Sequence, residues 1–159
     1  MSSFIPGSVL DDDASVLIHL DNGAKGVISV SQVSSGEENG LSIRIYGADC
    51  GLEWHQQNPN YLTIKNPDGV KNIYSKGNPG LCKEAYRAGK LPPGHPDGFI
   101  EAFANVYNEA YLAIFAKDEG KPLNDPDYPT VYDGLRGMKF IRAAVESSKR
   151  GGVWVRCGN

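Results

Sequence analysis

Apolar residues recur at every second position through the first half of this chain and at every third or fourth through the second, with the change falling between Ser75 and Gly98. A period of two sends side chains alternately to the two faces of a strand, whereas a period near 3.6 lines up one stripe of a helix. A sheet is therefore expected first and helices after it. Val16, Ile18 and Leu20 alternate with Leu17 and His19, and Asn22-Gly23 follows where a two-residue hairpin turn needs positive φ. The return strand is predicted over residues 24–31, a third over 41–46 and a fourth over 52–55. Two weaker ones are predicted over 61–65 and 70–75, joined by the turn Asn66-Pro67-Asp68-Gly69.

In the second half Phe99, Phe103, Val106, Ala110 and Ile114, flanked by Ile100, Tyr107 and Tyr111, form one broad stripe that predicts a core helix over 98–117. A connector, KPLNDPDYP, leads to Thr130, a good N-cap with Asp133 three residues on. Val131, Leu135, Met138, Ile141 and Val145 then continue a helix over 130–150, which Lys149 and Arg150 favour at its negative end and Gly151 stops. Gly134 and Gly137 inside it cost about 1 kcal/mol each relative to alanine, which predicts close helix packing there. Residues 76–98 are rich in glycine and proline and read as a loop with at most one short helix; loops of that length are often functional.

These elements predict an α+β fold: an open, mainly antiparallel sheet of about six strands with two main helices packed on one face. At 159 residues the chain fits one domain, 1–159, with a leader over 1–10 and the sheet over 11–75. It is long enough to bury roughly two-thirds of the surface its unfolded form exposes. The sheet face away from the helices is expected to present some of His19, Lys25, Arg44, Tyr46, Glu53, His55 and Tyr74. That mixture suits either a solvated face or homo-oligomerisation through it.

Several function classes recede. A formal net charge of -3 carries no basic excess for nucleic acid. No apolar run approaches the ~20 residues of a membrane span, and the N-terminal MSSFIPGSVL lacks the regions of a signal peptide. Cys50, Cys82 and Cys157 have no CxxC spacing and an odd count, which fits a reducing, cytoplasmic setting. Asp11, Asp12 and Asp13 read as a solvated lead-in to the first strand rather than a metal site. No nucleophile elbow, dinucleotide turn or P-loop is present, so no catalytic, cofactor-binding or metal-binding residue is assigned.

His95 is the one side chain that invites a site. It stands in Pro92-Pro93-Gly94-His95-Pro96-Asp97-Gly98, held by proline on both sides and close to a helix start that disfavours a cation. A neutral imidazole both donates and accepts a hydrogen bond, which suits a hydroxyl-bearing ligand. The plainer reading is a loop histidine that bridges its own backbone.

The stretches DDDASVLIHLDNGAKGVISVSQV, IRIYGADCGLEWHQQNPNYL, PPGHPDGFIEAFANVYNEAY and YPTVYDGLRGMKFIRAAVESSKRGGVWV, in that order, resemble blocks of the C-terminal domain of the Gfo/Idh/MocA oxidoreductases, the glucose-fructose oxidoreductase and inositol dehydrogenase family. The resemblance implies a parent with an N-terminal Rossmann domain binding NAD or NADP, and a second domain that completes a sugar or polyol site and commonly mediates oligomerisation. The GxGxxG fingerprint, a Glu-Lys-Pro segment and an Asp-x-x-x-His pair are absent here, so the chain is expected to be a truncated fragment, catalytically incomplete and binding no cofactor itself. The HPDGF loop alone carries over, and the resemblance implies that His95 approaches substrate hydroxyls. A non-catalytic oligomerisation or carbohydrate-binding module is the alternative.

Overall fold

The computed structural model describes residues 1–121 and 127–158, so most of the KPLNDPDYP connector lies outside the described residues. Along the chain run β1 (Asp13–His19), β2 (Lys25–Ser31), β3 (Ser42–Tyr46), β4 (Gly51–His55), β5 (Tyr61–Lys65), β6 (Lys71–Ser75), α1 (Lys83–Ala88), α2 (Phe99–Asp118) and α3 (Val131–Lys149). The class is α+β, and all six strands pair antiparallel. Their ladders form two sheets, β1-β2 and β3-β4-β5-β6. The chain divides into two compact units, Met1–Glu37 together with the residues from Pro129 onward, and Glu38–Tyr128.

In the first unit β1 and β2 pair from Asp13↔Ser31 to His19↔Lys25. Val16, Ile18 and Ile28 are half-buried while Leu17 and Val27 face out, as the alternation requires. The turn differs from the two-residue form expected. Leu20 N–H donates to Ala24 O, so Asp21, Asn22 and Gly23 make a three-residue loop in which Gly23 takes φ 86°. A type I turn closed by one left-handed residue matches strand twist as well as the shorter turn does. The acidic triplet also has a local use: the Asp12 carboxylate accepts the N–H groups of Phe4 at 2.9 Å and Ile5 at 3.2 Å and the Ser3 hydroxyl at 2.8 Å. The His19 ring stacks on Trp154, centroids 4.3 Å apart. At the start of α3, Asp133 Oδ2 accepts from both N–H and Oγ1 of Thr130, the cap expected there. The close packing expected at Gly134 and Gly137 is absent, since a Cβ at either meets nothing within 4 Å.

In the second unit the register Arg44↔Glu53↔Thr63↔Ile73 sorts the four strands into two faces. Ile43, Ile45, Leu52, Trp54, Leu62 and Ile64 share one; Arg44, Tyr46, Glu53, His55 and Lys65 share the other. Tyr74, one of the candidates for the second group, pairs with Leu62 and falls on the apolar face, because β6 puts Ile73 on the polar side. Glu53 joins that polar face together: one carboxylate oxygen meets Lys65 Nζ and the other lies 2.7 Å from His55 Nε2. The Lys65 and then the His55 hydrogen bond hold its pKa down to about 2. The β5–β6 connection repeats the first hairpin, with Asn66 N–H donating to Val70 O and Gly69 at φ 86°.

The short α1 is tied to α2 by Arg87, 2.5 Å from the carboxylate of Glu109, and by Asn105 Nδ2, which donates to Ala88 O at 2.9 Å. Glu109 is buried, and the Arg87 hydrogen bond outweighs desolvation to lower its pKa. The stripe of α2, expected in a core, is instead exposed: Phe99, Phe103, Val106 and Ile114 are all more than half accessible. Phe99, Phe103, Tyr107, Tyr111 and Phe115 recur every four residues, with Phe99–Phe103 and Phe103–Tyr107 centroids 5.4 and 5.8 Å apart. Exposure is general. Of the described residues only Gly51, Glu109 and Ala143 are buried, and the chain exposes 12933 Å², against about 7,800 Å² for a compact globular protein of its mass. The burial expected from length alone is not reached.

Candidate functional site

The segment between β6 and α2 is the glycine- and proline-rich stretch picked out in the sequence, and α1 is its single helix. Beyond α1 it forms a loop, residues 89–98. At its tip Pro92, Pro93, Gly94 and His95 make a type II turn: His95 N–H donates to Pro92 O at 3.1 Å, Pro93 occupies the second position, and Gly94 supplies φ 82° at the third. Pro93 and Gly94 thus have separate jobs, presetting φ and allowing the left-handed step.

The imidazole of His95 is exposed. Its Nδ1 lies 3.4 Å from Pro93 O, and because a carbonyl only accepts, Nδ1 carries a proton in this contact. Nε2 has no hydrogen-bond partner among the described residues. The geometry keeps both sequence readings in view: the ring touches its own loop through one nitrogen and leaves the other open.

Asp97 was not singled out in the sequence, yet it is the most connected side chain of the loop. Its Oδ2 accepts from Lys90 N–H at 3.0 Å and from Lys76 Nζ at 2.5 Å, and its Oδ1 accepts from Leu91 N–H at 3.1 Å. Lys76 Nζ donates in addition to Leu91 O at 2.8 Å. Burial raises the Asp97 pKa, but the Lys76 hydrogen bond, the two backbone N–H groups and the Lys76 charge together keep it below the usual carboxylate value. The Asn60 side chain pairs with the Asp97 backbone on both sides, Nδ2 to O and N to Oδ1, each at 2.9 Å. The one local hint was an acid two residues before a helix. Two of its partners, Lys76 and Asn60, lie 21 and 37 residues away, beyond the reach of any pattern.

Gly77, just past β6, has φ 75° and runs against the tip: a Cβ there would lie 3.3 Å from Pro93 N. Asp97 does not cap α2. The Gly98 N–H is taken by Glu101 Oε2 at 2.7 Å. The starts of the two long helices therefore carry carboxylates, Glu101 on α2 and Asp133 on α3, and neither offers the glycine-rich, uncharged turn that a dinucleotide pyrophosphate needs. These two helix starts do not fit the pyrophosphate of NAD or NADP. No group of three or more His, Cys, Asp or Glu among the described residues is placed to hold a metal ion.

A family model described as oxidoreductase family, C-terminal alpha/beta domain, of the Gfo/Idh/MocA oxidoreductases, matches residues 2–156. Uncharacterized oxidoreductase YfiI of Bacillus subtilis (strain 168) is 36% identical over 151 residues, covering 92% of this chain and 38% of its own length. The crystal structure of an oxidoreductase from Sinorhizobium meliloti is similar with a TM-score of 0.89 and 43% identity, over 98% of this chain and 44% of that one. An inositol dehydrogenase homolog from Azotobacter vinelandii, solved in complex with NADH and myo-inositol, gives 0.86 and 31%, over 93% and 40%. The chain thus spans less than half the length of each of these relatives.

Proposed function

Because this chain belongs to the Gfo/Idh/MocA oxidoreductase family, as its C-terminal α/β domain, we propose that it is the substrate half of an NAD- or NADP-dependent oxidoreductase acting on a sugar, a cyclitol or a related polyol. In this reading a Rossmann domain of the parent holds the cofactor and the proton-transfer groups, and the present chain supplies recognition. His95 is the contact. The observation that carries the reading is the type II turn that displays the ring on a stiff tip, with Nε2 open to a substrate hydroxyl. The relative solved with NADH and myo-inositol supports the cofactor and substrate class. Homo-oligomerisation through the polar face of the β3–β6 sheet, around Arg44 and Tyr46, is part of the same proposal.

The test is His95→Ala in the enzyme containing both domains. Losing one neutral hydrogen bond costs roughly 0.5 to 1.5 kcal/mol, which lowers kcat/KM about 2- to 13-fold, with cofactor affinity unchanged. A loss of several orders of magnitude assigns the imidazole to proton transfer instead. Unchanged kinetics with a lower melting temperature assign it to the loop.

A further inference from the structure

We propose that Asp97, acting with Lys76 and Asn60, is a positioning residue that fixes His95 for the substrate, an inference that rests on the reading of His95 given above. The bonds made by these three side chains close a neck. Asp97 gathers the N–H groups of Lys90 and Leu91 on one side of the loop, and its own backbone is held by Asn60 on the other. Lys76 Nζ spans from the carboxylate to Leu91 O. The side chains of Lys76 and Asp97 are only 15% and 14% accessible, so the ion pair is shielded from competing water. Asn60 stands directly before β5 and Lys76 directly after β6, and they are joined to each other by Lys76 N–H to Asn60 O at 2.9 Å. The neck is therefore anchored on two paired strands.

Five residues, Pro92 to Pro96, project beyond it. Three are prolines and one is the glycine of the turn, so His95 is the tip's one polar side chain. A tip built this way has few torsions left to freeze once its neck is closed, and a ring on it meets a ligand without a further ordering cost. Capping does not explain Asp97, since Glu101 already occupies the N–H at the start of α2. A preorganising role does: groups that contact substrate depend on neighbours that lock their geometry.

Two measurements test it. In the 159-residue chain, 15N relaxation of the Gly94 and His95 amides in wild type, Asp97→Asn and Lys76→Met reads the order of the tip; the expected result is a fall from about 0.85 to below about 0.6 in either variant. In the two-domain enzyme, Asp97→Asn should lower kcat/KM by no more than the loss seen for His95→Ala, about 2- to 13-fold. Added to His95→Ala, it should lower kcat/KM no further, a non-additivity that a general loss of stability would not produce. Unchanged order parameters overturn the positioning role while leaving the His95 reading intact. Additive kinetic losses overturn it too, because Asp97 then acts other than through the ring. A silent His95→Ala with a loosened tip sinks the substrate role of His95 and, with it, the reason for the neck. Lys76→Met serves where Asp97→Asn fails to fold.

Discussion

Gly77→Ala should destabilise the protein more than Gly80→Ala, and the difference measures how firmly the His95 tip is held. Both glycines have positive φ, 75° and 93°, but a Cβ at Gly80 meets nothing within 4 Å, whereas one at Gly77 would lie 3.3 Å from Pro93 N and 3.4 Å from Pro93 Cδ. The left-handed region costs an L-residue about 1 to 2 kcal/mol. Alanine returns about 0.4 to 1 kcal/mol by restricting the unfolded chain, so Gly80→Ala should cost about 1 kcal/mol net, or about 2 to 4 °C for a chain of this size. At Gly77 the backbone of Pro93 must also give way, and mild overpacking adds about 1 kcal/mol. The total is then about 2 kcal/mol, or about 4 to 8 °C. Thermal unfolding followed by circular dichroism compares the two variants with wild type. Equal melting temperatures for Gly77→Ala and Gly80→Ala would show that the tip does not rest on Gly77.

The isolated chain should bind neither NAD nor NADP, because acidic side chains stand at the starts of α2 and α3; calorimetric titration checks this, and micromolar binding would refute it. It should self-associate, and Arg44→Glu with Tyr46→Ser should weaken that association in sedimentation experiments; a wild-type monomer at high concentration contradicts the assignment of the sheet face. Glu53 should titrate at about 2 rather than 4.5. Its folded pKa is the lower one, so the stabilisation by Lys65 and His55 is present above pH 4.5 and is lost as pH falls through 2. Carbon-detected NMR of the Glu53 carboxyl reads the midpoint, and an ordinary value would mean that the pair is open in solution.

Much of this architecture is visible in the amino-acid order because it is local. Alternation located all six strands to within two residues, and Thr130 with Asp133 marked the start of α3, since a cap is satisfied within one turn. The turn type at Asn22-Gly23 is not legible there because a two- and a three-residue loop both use that glycine, and which one forms depends on where the strands pair. Tyr74, one of the candidates for the outer face, is not among those that share it, because β6 reverses the usual polarity, with Ile73 beside Thr63. His95 stands out for its flanking prolines, and the turn gives Pro93 its role. Asp97, Lys76 and Asn60 were invisible as a group, as were Arg87 and Glu109, because each set is assembled by backbone that brings distant residues together. The exposed aromatic row on α2 shows the opposite limit: periodicity identifies an apolar stripe without saying what covers it.

The division of the chain into two units has a consequence for synthesis. Glu38–Tyr128 is one uninterrupted segment, with tight hairpins and every bond of the neck inside it. The other unit is split around it, the β1–β2 hairpin made before and α3 after. On a ribosome the inner unit is complete while the outer one still lacks its helix, and domains generally fold as they emerge. The hairpin must therefore wait for its late partners, the Trp154 ring that stacks on His19 among them, until the last residues arrive. Pulse proteolysis of nascent chains of increasing length should find the inner unit protected first, and the residues of β1 and β2 the most exposed to cleavage and to pairing with a neighbouring chain.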